Sequence, residues 1–460
     1  MKLERLTAAL APTSVIGRTA VEIDDLAYDG RTVKPGALFF CVPGARFDGH
    51  EFAPEAVARG AAALVVERAL DLDVPQVVVG DARRAMAPAA HEFFGRPSDE
   101  LQIAGVTGTN GKTTTAFLLY AILEAAGRRP GLLGTIEARV GAERRAAVRT
   151  TAEAIDLQRT FREMLDADNR SCAIEATSHG SQLHRLDCVR FRVLVFTNLT
   201  QDHLDFHGTM EKYFVAKRRL FRDGVPAVVN VGDEWGRRLA RELGDAVTFG
   251  FADDADVKPD ALDGIELKLR GRFNAENALG AVAAARVLGI DDAEIRRGLE
   301  SVHGVPGRFE SVDEGQPFAV VVDYSHKPDA LANVLRTARE LADGRVICVF
   351  GAGGDRDRGK RPVMGRIASE LSDVAIVTSD NPRSEHPRAI IDEILTGVVG
   401  EVEVEEDRRA AITRAVELAR EGDVVVIAGK GHEQGQEIAG RVLPFDDREV
   451  AREALRAVRT

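Results

Sequence analysis

Cysteine is scarce in this chain. Only Cys41, Cys172, Cys188 and Cys348 occur in 460 residues, far apart and with no C-x-x-C pair, so a disulfide framework and a cysteine zinc or redox motif are excluded. Buried free thiols in a reducing compartment are expected. A basic stripe is also missing. The formal net charge is −12 and the pI near 5.5, and short basic stretches such as "DRDRGKR" (355–361) are interleaved with acids, which excludes a partner held by its nucleic-acid backbone. No apolar run approaches a membrane span, and the opening "MKLERLTAALAPTSVIG" has an apolar stretch too short, and too broken by Thr7 and Pro12, for a secretory signal. Low-complexity tracts and short-period repeats are absent as well. These absences describe a cytoplasmic protein with no nucleic-acid partner and no membrane insertion, expected to be a monomer.

What is present is a hydrophobic content of 45% over 460 residues, enough for several cores and, by domain-size statistics, roughly three domains. Apolar β-type runs alternate with Ala-, Leu- and Arg-rich helical stretches, the pattern of parallel α/β sheets. Breaker residues mark two seams, "FGRPSDE" (94–100) and "VHGVPGRFE" (302–310). The expected domains are therefore 1–97, 98–307 and 308–460. The expected fold class is α/β in three domains, with a central P-loop ATPase-like parallel sheet and a C-terminal Rossmann-like domain.

Seven apolar runs end in polar, reactive side chains. In the middle part "LQIAGV" leads into "TGTNGKTTT", "CAIEA" into "TSHG" and "VLVF" into "TNLTQDHLDFH". In the last part "AVVVD" leads into "YSHKPDAL", "VICVF" into "GAGGDRDRGKRP", "VAIVT" into "SDNPR" and "VVVIA" into "GKGHEQGQ". Ligands of open parallel sheets bind outside the carboxyl ends of strands, so two sheets facing one cleft are expected.

The most specific signal is "GVTGTNGKTTTAFLLYAILEAAG" from Gly105, a strand, a glycine loop and a helix. Glycines let backbone N–H groups curl around phosphate oxygens, and the helix N-terminus favours negative charge. Lys112 can neutralise β/γ-phosphates, and the Thr113 hydroxyl can face Mg²⁺. Val106 stands where the generic G-x-x-x-x-G-K-S/T pattern has glycine, so this is a variant loop. Its residues Gly108, Thr109, Asn110, Gly111, Lys112, Thr113 and Thr114 are the expected ATP contacts.

Together with "EATSHG", "GRFNAENALGA", "GVPGRFE", "VDYSHKPDAL", "SDNPRSEHP" and "AGKGHE", this loop resembles the Mur ligases of peptidoglycan synthesis, most closely their UDP-N-acetylmuramoyl-tripeptide synthetase branch, in order along nearly the whole chain. The resemblance implies that ATP phosphorylates the D-glutamate carboxylate of UDP-MurNAc-L-Ala-D-Glu and that an amine attacks the acyl phosphate. It implies metal contacts at Thr113, Glu175 and His203, with Mg²⁺ as the ion, and a carbamate on Lys217 as an anionic ligand. Lys112, Lys217 and His203 are its catalytic positions. Asn277, Arg308 and Asp323 match nucleotide contacts, and Thr150, Thr151, Thr177 and Arg185 match the UDP-sugar pocket. Arg356, Asp380, Asn381, Pro382, Arg383, Gly429 and Glu433 match the acceptor site of ligases that add meso-diaminopimelate, whose distal carboxylate a guanidinium at Arg383 would pair.

Two positions depart from the family pattern. Gly30 replaces a serine in "DGRTVKPG", and Leu183 replaces a glutamine before Arg185. The residues alone leave plain alternatives open: Lys217 as one more exposed helical lysine, His203 and His207 as a helix face, and His326 as a polar loop residue. A folylpolyglutamate synthetase-like ligase, an ATP-driven switch and an inactive scaffold are the rival functions. The first domain with the "DNPR" and "GKGHE" loops speaks against the first, the last domain's polar strand ends against the second, and the joint presence of Lys112, Thr113, Glu175, His203 and Lys217 against the third.

Overall fold

The structure, a computed structural model, describes residues 1–44, 47–222 and 224–458. Three mostly parallel sheets follow one another along the chain. The first has five strands, in the spatial order Ser14–Ile16, Gln76–Val78, Ala63–Val66, Ala37–Phe40 and Asp25–Ala27, with only Ser14–Ile16 antiparallel. The second has eight, and Gln102–Thr107 lies in its interior between Phe191–Phe196 and Ser171–Glu175. Its far edge, Glu137–Val140 and Glu143–Ala146, turns antiparallel. The third has six, with Ala319–Asp323, Val424–Ala428, Val346–Phe350 and Val374–Val377 parallel at its middle.

Strands such as Val346–Phe350 and Val424–Ala428 are buried along their whole length, because helices cover both faces of a parallel sheet and leave no side for a polar residue. The middle sheet is packed on one face by Lys112–Ala125 and Arg272–Val287, around Leu118, Ile122 and Val282, and on the other around Phe161, Phe196 and Phe214. The last sheet likewise lies between two apolar layers, one around Leu335 and Phe350, the other around Ile412 and Val425. With both faces closed, backbone ends and polar side chains are offered only at the sheet ends, where the loops lie. This architecture bears out the α/β class. All four cysteines are free, but Cys188 is only half-buried, at the turn leading to Phe191, whereas full burial was expected of it. No helix among the described residues is long and apolar enough to cross a membrane.

Candidate active site

The strand Gln102–Thr107 stops at the glycine loop, and the helix Lys112–Ala125 starts directly after it. Gly111 has φ +83°, and a Cβ there would sit on Asn277 Oδ1; only glycine allows this approach without strain. The loop lines a cavity of about 260 Å³. Thr109, Asn110, Gly111, Lys112, Thr113 and Thr114 are on its wall, as are Thr150, Glu175, Thr177, His203, Asn277, Arg308 and Asp323. Four of the seven polar strand ends therefore meet in one place. The other three form a neighbouring cluster.

Inside the cavity, Lys112 Nζ donates to the Gly108 and Thr109 carbonyls at 3.0 and 2.9 Å. Burial first, and then the charge of Lys327, push its amine down to about 8. Arg308 donates to Thr113 Oγ1 at 3.1 Å and stacks over the Tyr324 ring at 4.5 Å, so it already spans from the third sheet to the phosphate loop. Asp323 accepts from the Phe309 N–H at 2.7 Å; burial raises its pKa, with Arg308 opposing. His326 also lines the cavity, and burial, then Lys360 and Lys327, hold it neutral, well below the usual imidazole range.

Lys217 is not the exposed helical lysine that its neighbours in "YFVAKRRLF" suggest. It is 1% exposed, its Nζ donates to the Gly108 carbonyl at 2.7 Å and it lies 4.7 Å from the Tyr213 ring centre. Burial, followed by the charges of Lys112 and Lys327, pushes its amine well below the ordinary lysine value. His203 caps the short helix Leu204–His207 with φ 52° and remains open to the cavity, whereas His207 is buried against Tyr213 and pairs with Ser178 Oγ at 3.0 Å. The two histidines thus do not share one helix face. Glu175 accepts from the Thr135 N–H at 2.7 Å and from Thr135 Oγ1 at 3.0 Å.

A hydroxyl, a carboxylate and an imidazole on one wall are a donor set that suits Mg²⁺ only with further oxygen ligands. Among the described residues no three His, Cys, Asp or Glu side chains form a metal cluster by themselves. Phosphate oxygens and an anionic group near Lys217 would fill that shortfall, so the residues present fit a metal that arrives with its nucleotide.

On the side of the first sheet, Thr151 Oγ1 donates to the Glu175 carbonyl at 2.8 Å and accepts from Thr177 Oγ1 at 3.0 Å. Thr150 Oγ1 lies 3.1 Å from Thr135 Oγ1. Arg185 reaches the Thr151 carbonyl at 3.0 Å and Glu153 at 2.7 Å. Thr151 and Arg185 therefore sit behind the cavity wall, and Thr150 and Thr177 on it.

The neighbouring cluster is built at the ends of Val374–Val377 and Val424–Ala428. Gly429, φ +128°, passes so close to Asp380 that a Cβ would meet its carboxylate. Asn381 Nδ2 donates to Glu433 at 2.8 Å, and Lys430 Nζ donates to Asn381 Oδ1 and Glu433 at 2.9 and 3.0 Å. After Pro382, Arg383 takes φ 56°, a left-handed conformation unfavourable to most residues. It is pinned to the hairpin Gly435–Pro444 by its N–H to the Glu437 carbonyl and its carbonyl from the Ala439 N–H. Its guanidinium donates to the Gly354 carbonyl at 2.7 Å and lies 3.3 Å from Glu437. Arg356 is exposed and donates to the neighbouring Asp355 carbonyl. Tyr324 lines the cavity and is near enough to Glu433 for its phenol to respond to that charge, so one ring joins the two clusters.

Sequence reasoning left Asp202, Lys327, Lys360 and Lys430 without roles. All are in the quoted strand-end motifs, and only their burial distinguishes them: Lys327, Lys360 and Lys430 are each buried. Three buried lysines are unusual. No local pattern announces it.

Family descriptions match the three parts of the chain: the Mur ligase family catalytic domain over residues 22–93, the Mur ligase middle domain over 106–285, and the Mur ligase glutamate ligase domain over 307–431. The chain is 46% identical to a protein of Solibacter usitatus, covering 99% of this chain and 97% of that one, and 42% identical to one of Clostridium botulinum, covering 97% and 98%. Both bear the name UDP-N-acetylmuramoyl-L-alanyl-D-glutamate--2,6-diaminopimelate ligase. A solved structure of a ligase with the same name superposes with a TM-score of 0.68 at 30% identity, over 100% of this chain and 99% of that one. The chain belongs to the Mur ligase family.

Proposed function

We propose that this protein joins meso-diaminopimelate to UDP-MurNAc-L-Ala-D-Glu at the expense of ATP, in the cytoplasmic assembly of peptidoglycan precursors. The observation that carries the reading is the single cavity shared by the phosphate loop, Glu175, His203 and the Asp323–Lys327 loop, with the Asn381, Lys430 and Glu433 cluster one ring away. Relatives that match over nearly the whole chain carry the name of this ligase.

In this reading the D-glutamate carboxylate attacks the γ-phosphorus and ADP leaves. The acceptor amine, having lost its proton, then attacks the acyl carbon, and the tetrahedral intermediate expels phosphate. The chain's own residues meet the main difficulty, repulsion between a carboxylate and a triphosphate, with Lys112, Arg308 and the N-terminus of the helix Lys112–Ala125. Thr113, Glu175 and His203 would hold Mg²⁺, which would supply further charge neutralisation. Burial lowers the pKa of Lys217 and so favours its neutral amine, the form that combines with CO₂ to give a carbamate and a proton. Thr150 and Thr177 orient the UDP-sugar dipeptide, and burial keeps water from the acyl phosphate.

At the acceptor cluster Arg383 pairs the distal carboxylate and Glu433 an ammonium, while Arg356 is free to turn to a second carboxylate. The test is phosphate release with each component omitted in turn. Release is expected to require ATP, the UDP-sugar dipeptide and the amino acid together; full-rate release with ATP alone would mark an ATP-driven switch instead.

A further inference from the structure

Lys327 is one residue past His326 on the loop that follows the strand Ala319–Asp323, so it belongs to the third sheet. Its side chain is nevertheless spent on the second. Nζ lies 2.7 Å from Asp202 Oδ2 and donates to the Thr109 carbonyl of the phosphate loop at 3.3 Å. Asp202 comes from the "TQDH" turn after Phe191–Phe196, and the same Oδ2 is 2.9 Å from Nε2 of its neighbour His203. One carboxylate oxygen thus stands within ion-pairing distance both of a cation from the opposite domain and of the imidazole that lines the cavity. Both members of the pair are nearly buried, with side chains 11% and 12% exposed. Two residues on, Asp329 accepts from Asn110 Nδ2 of the phosphate loop at 3.0 Å, so the loop docks through two polar contacts.

We propose that Lys327 is a positioning residue that locks the third domain onto the phosphate loop and, through Asp202, holds His203 in its working orientation. The inference rests on the ligase reading for its kinetic consequence but not for its structural one. A buried ion pair is a poor source of stability against apolar alternatives, yet losing one partner strands the other charge. That asymmetry makes the pair a two-state device: complete when the domains meet, and replaced by hydrated side chains when they part. Closure and the setting of His203 therefore occur together.

The test compares Lys327→Met, Lys327→Arg, Asp202→Asn and the Lys327→Met/Asp202→Asn double variant with the unaltered protein, by steady-state kinetics and by solution scattering without substrates. Lys327→Met is expected to lower kcat about thirtyfold or more. KM values for the UDP-sugar dipeptide and the amino acid should stay within about twofold, the mark of an interaction realised in the reacting complex. Lys327→Arg should recover to within about tenfold of the unaltered kcat, since it keeps the charge. The double variant should lose less than the product of the two single losses, because both changes remove one shared interaction. In scattering, Lys327→Met should be more expanded than the unaltered protein.

Wild-type kcat in Lys327→Met, a loss confined to KM for ATP, or additive losses in the double variant would overturn the proposal. Asp202→Asn reaches the same pair from the other domain, so misfolding of one variant does not remove the test. An unaltered protein that makes no product while Lys327→Met still expands would overturn the ligase reading and leave the domain lock standing.

Discussion

The phosphate-loop cavity and the acceptor cluster both collect cations at strand ends, and they treat them oppositely. At the cavity, Lys112, Lys217, Lys327 and Arg308 converge, and among the described residues only Lys327 has a carboxylate within ion-pairing distance, Asp202. Lys112, Lys217 and Lys327 spend their N–H donors on the carbonyls of Gly108 and Thr109. At the acceptor cluster Arg361 is matched by Glu385 and Glu393, Arg408 by Asp447, and Lys430 by Glu433, while buried Lys360 donates to the His326 carbonyl. Arg383 faces Glu437. The cavity's cations, although Glu175, Glu276 and Asp323 share its wall, are thus mostly out of ion-pairing reach and left to a polyanion, whereas those of the cluster are mostly paired, which suits a zwitterion that exchanges one pair for another. ATP and meso-diaminopimelate have those two characters.

The largest effect that separates the two regions is expected at Lys217. Lys217→Ala should reduce ligation by about a hundredfold or more, as an electrostatic group preorganised at the reaction centre is lost. Formate or acetate should restore part of it by supplying the missing anion. Undiminished turnover in the variant would show that the cavity works without an anion at that point.

Arg383→Ala should act only on the other region. Loss of a desolvated charge pair costs about 2–5 kcal/mol, to be read as a rise in KM for meso-diaminopimelate with the ATP and UDP-sugar requirements unchanged. A variant whose diaminopimelate dependence stays intact would dissolve the assignment of this loop.

The smallest effect is a proton. The amine of Lys112 is pushed down to about 8 by burial and by Lys327, whereas the unfolded chain keeps it near the ordinary lysine value. Below the folded value both states are protonated and the penalty of the buried charge is fully felt. As pH rises above it, the folded state releases its proton first and this group's contribution to stability grows. Phosphate oxygens favour the ammonium, so ATP binding near pH 8 should take up about half a proton. Calorimetry in buffers of different ionisation enthalpy measures it; no uptake, or release, would mean that Lys112 is already charged in the empty cavity.

Much of this was legible in the sequence because it is local. A glycine loop between strand and helix, and polar residues after each apolar run, follow from short-range geometry, and they led to the α/β class and the phosphate loop. The burial of Lys217 was not legible, since the charged neighbours Lys212, Arg218 and Arg219 on its short helix suggest a solvated face. The approach of Gly108 from a distant segment, beside Tyr213 one turn earlier on the same helix, encloses it. The pairing of Asp202 with Lys327 depends in the same way on how two sheets meet. So does the division of seven strand ends into two stations joined by Tyr324, where a single cleft was expected. The left-handed backbone at Arg383 was masked by Pro382, which fixes its own φ and not that of its successor.

The central claim is that the cluster of mostly paired charges selects an amino acid with a second carboxylate. The most direct measurement gives the protein ATP, UDP-MurNAc-L-Ala-D-Glu and an equimolar mixture of meso-diaminopimelate and L-lysine, and identifies the products by mass. The account predicts the diaminopimelate product in excess of about thirtyfold, the value of one charged contact. Equal amounts of the two products, or the lysine product alone, would contradict it.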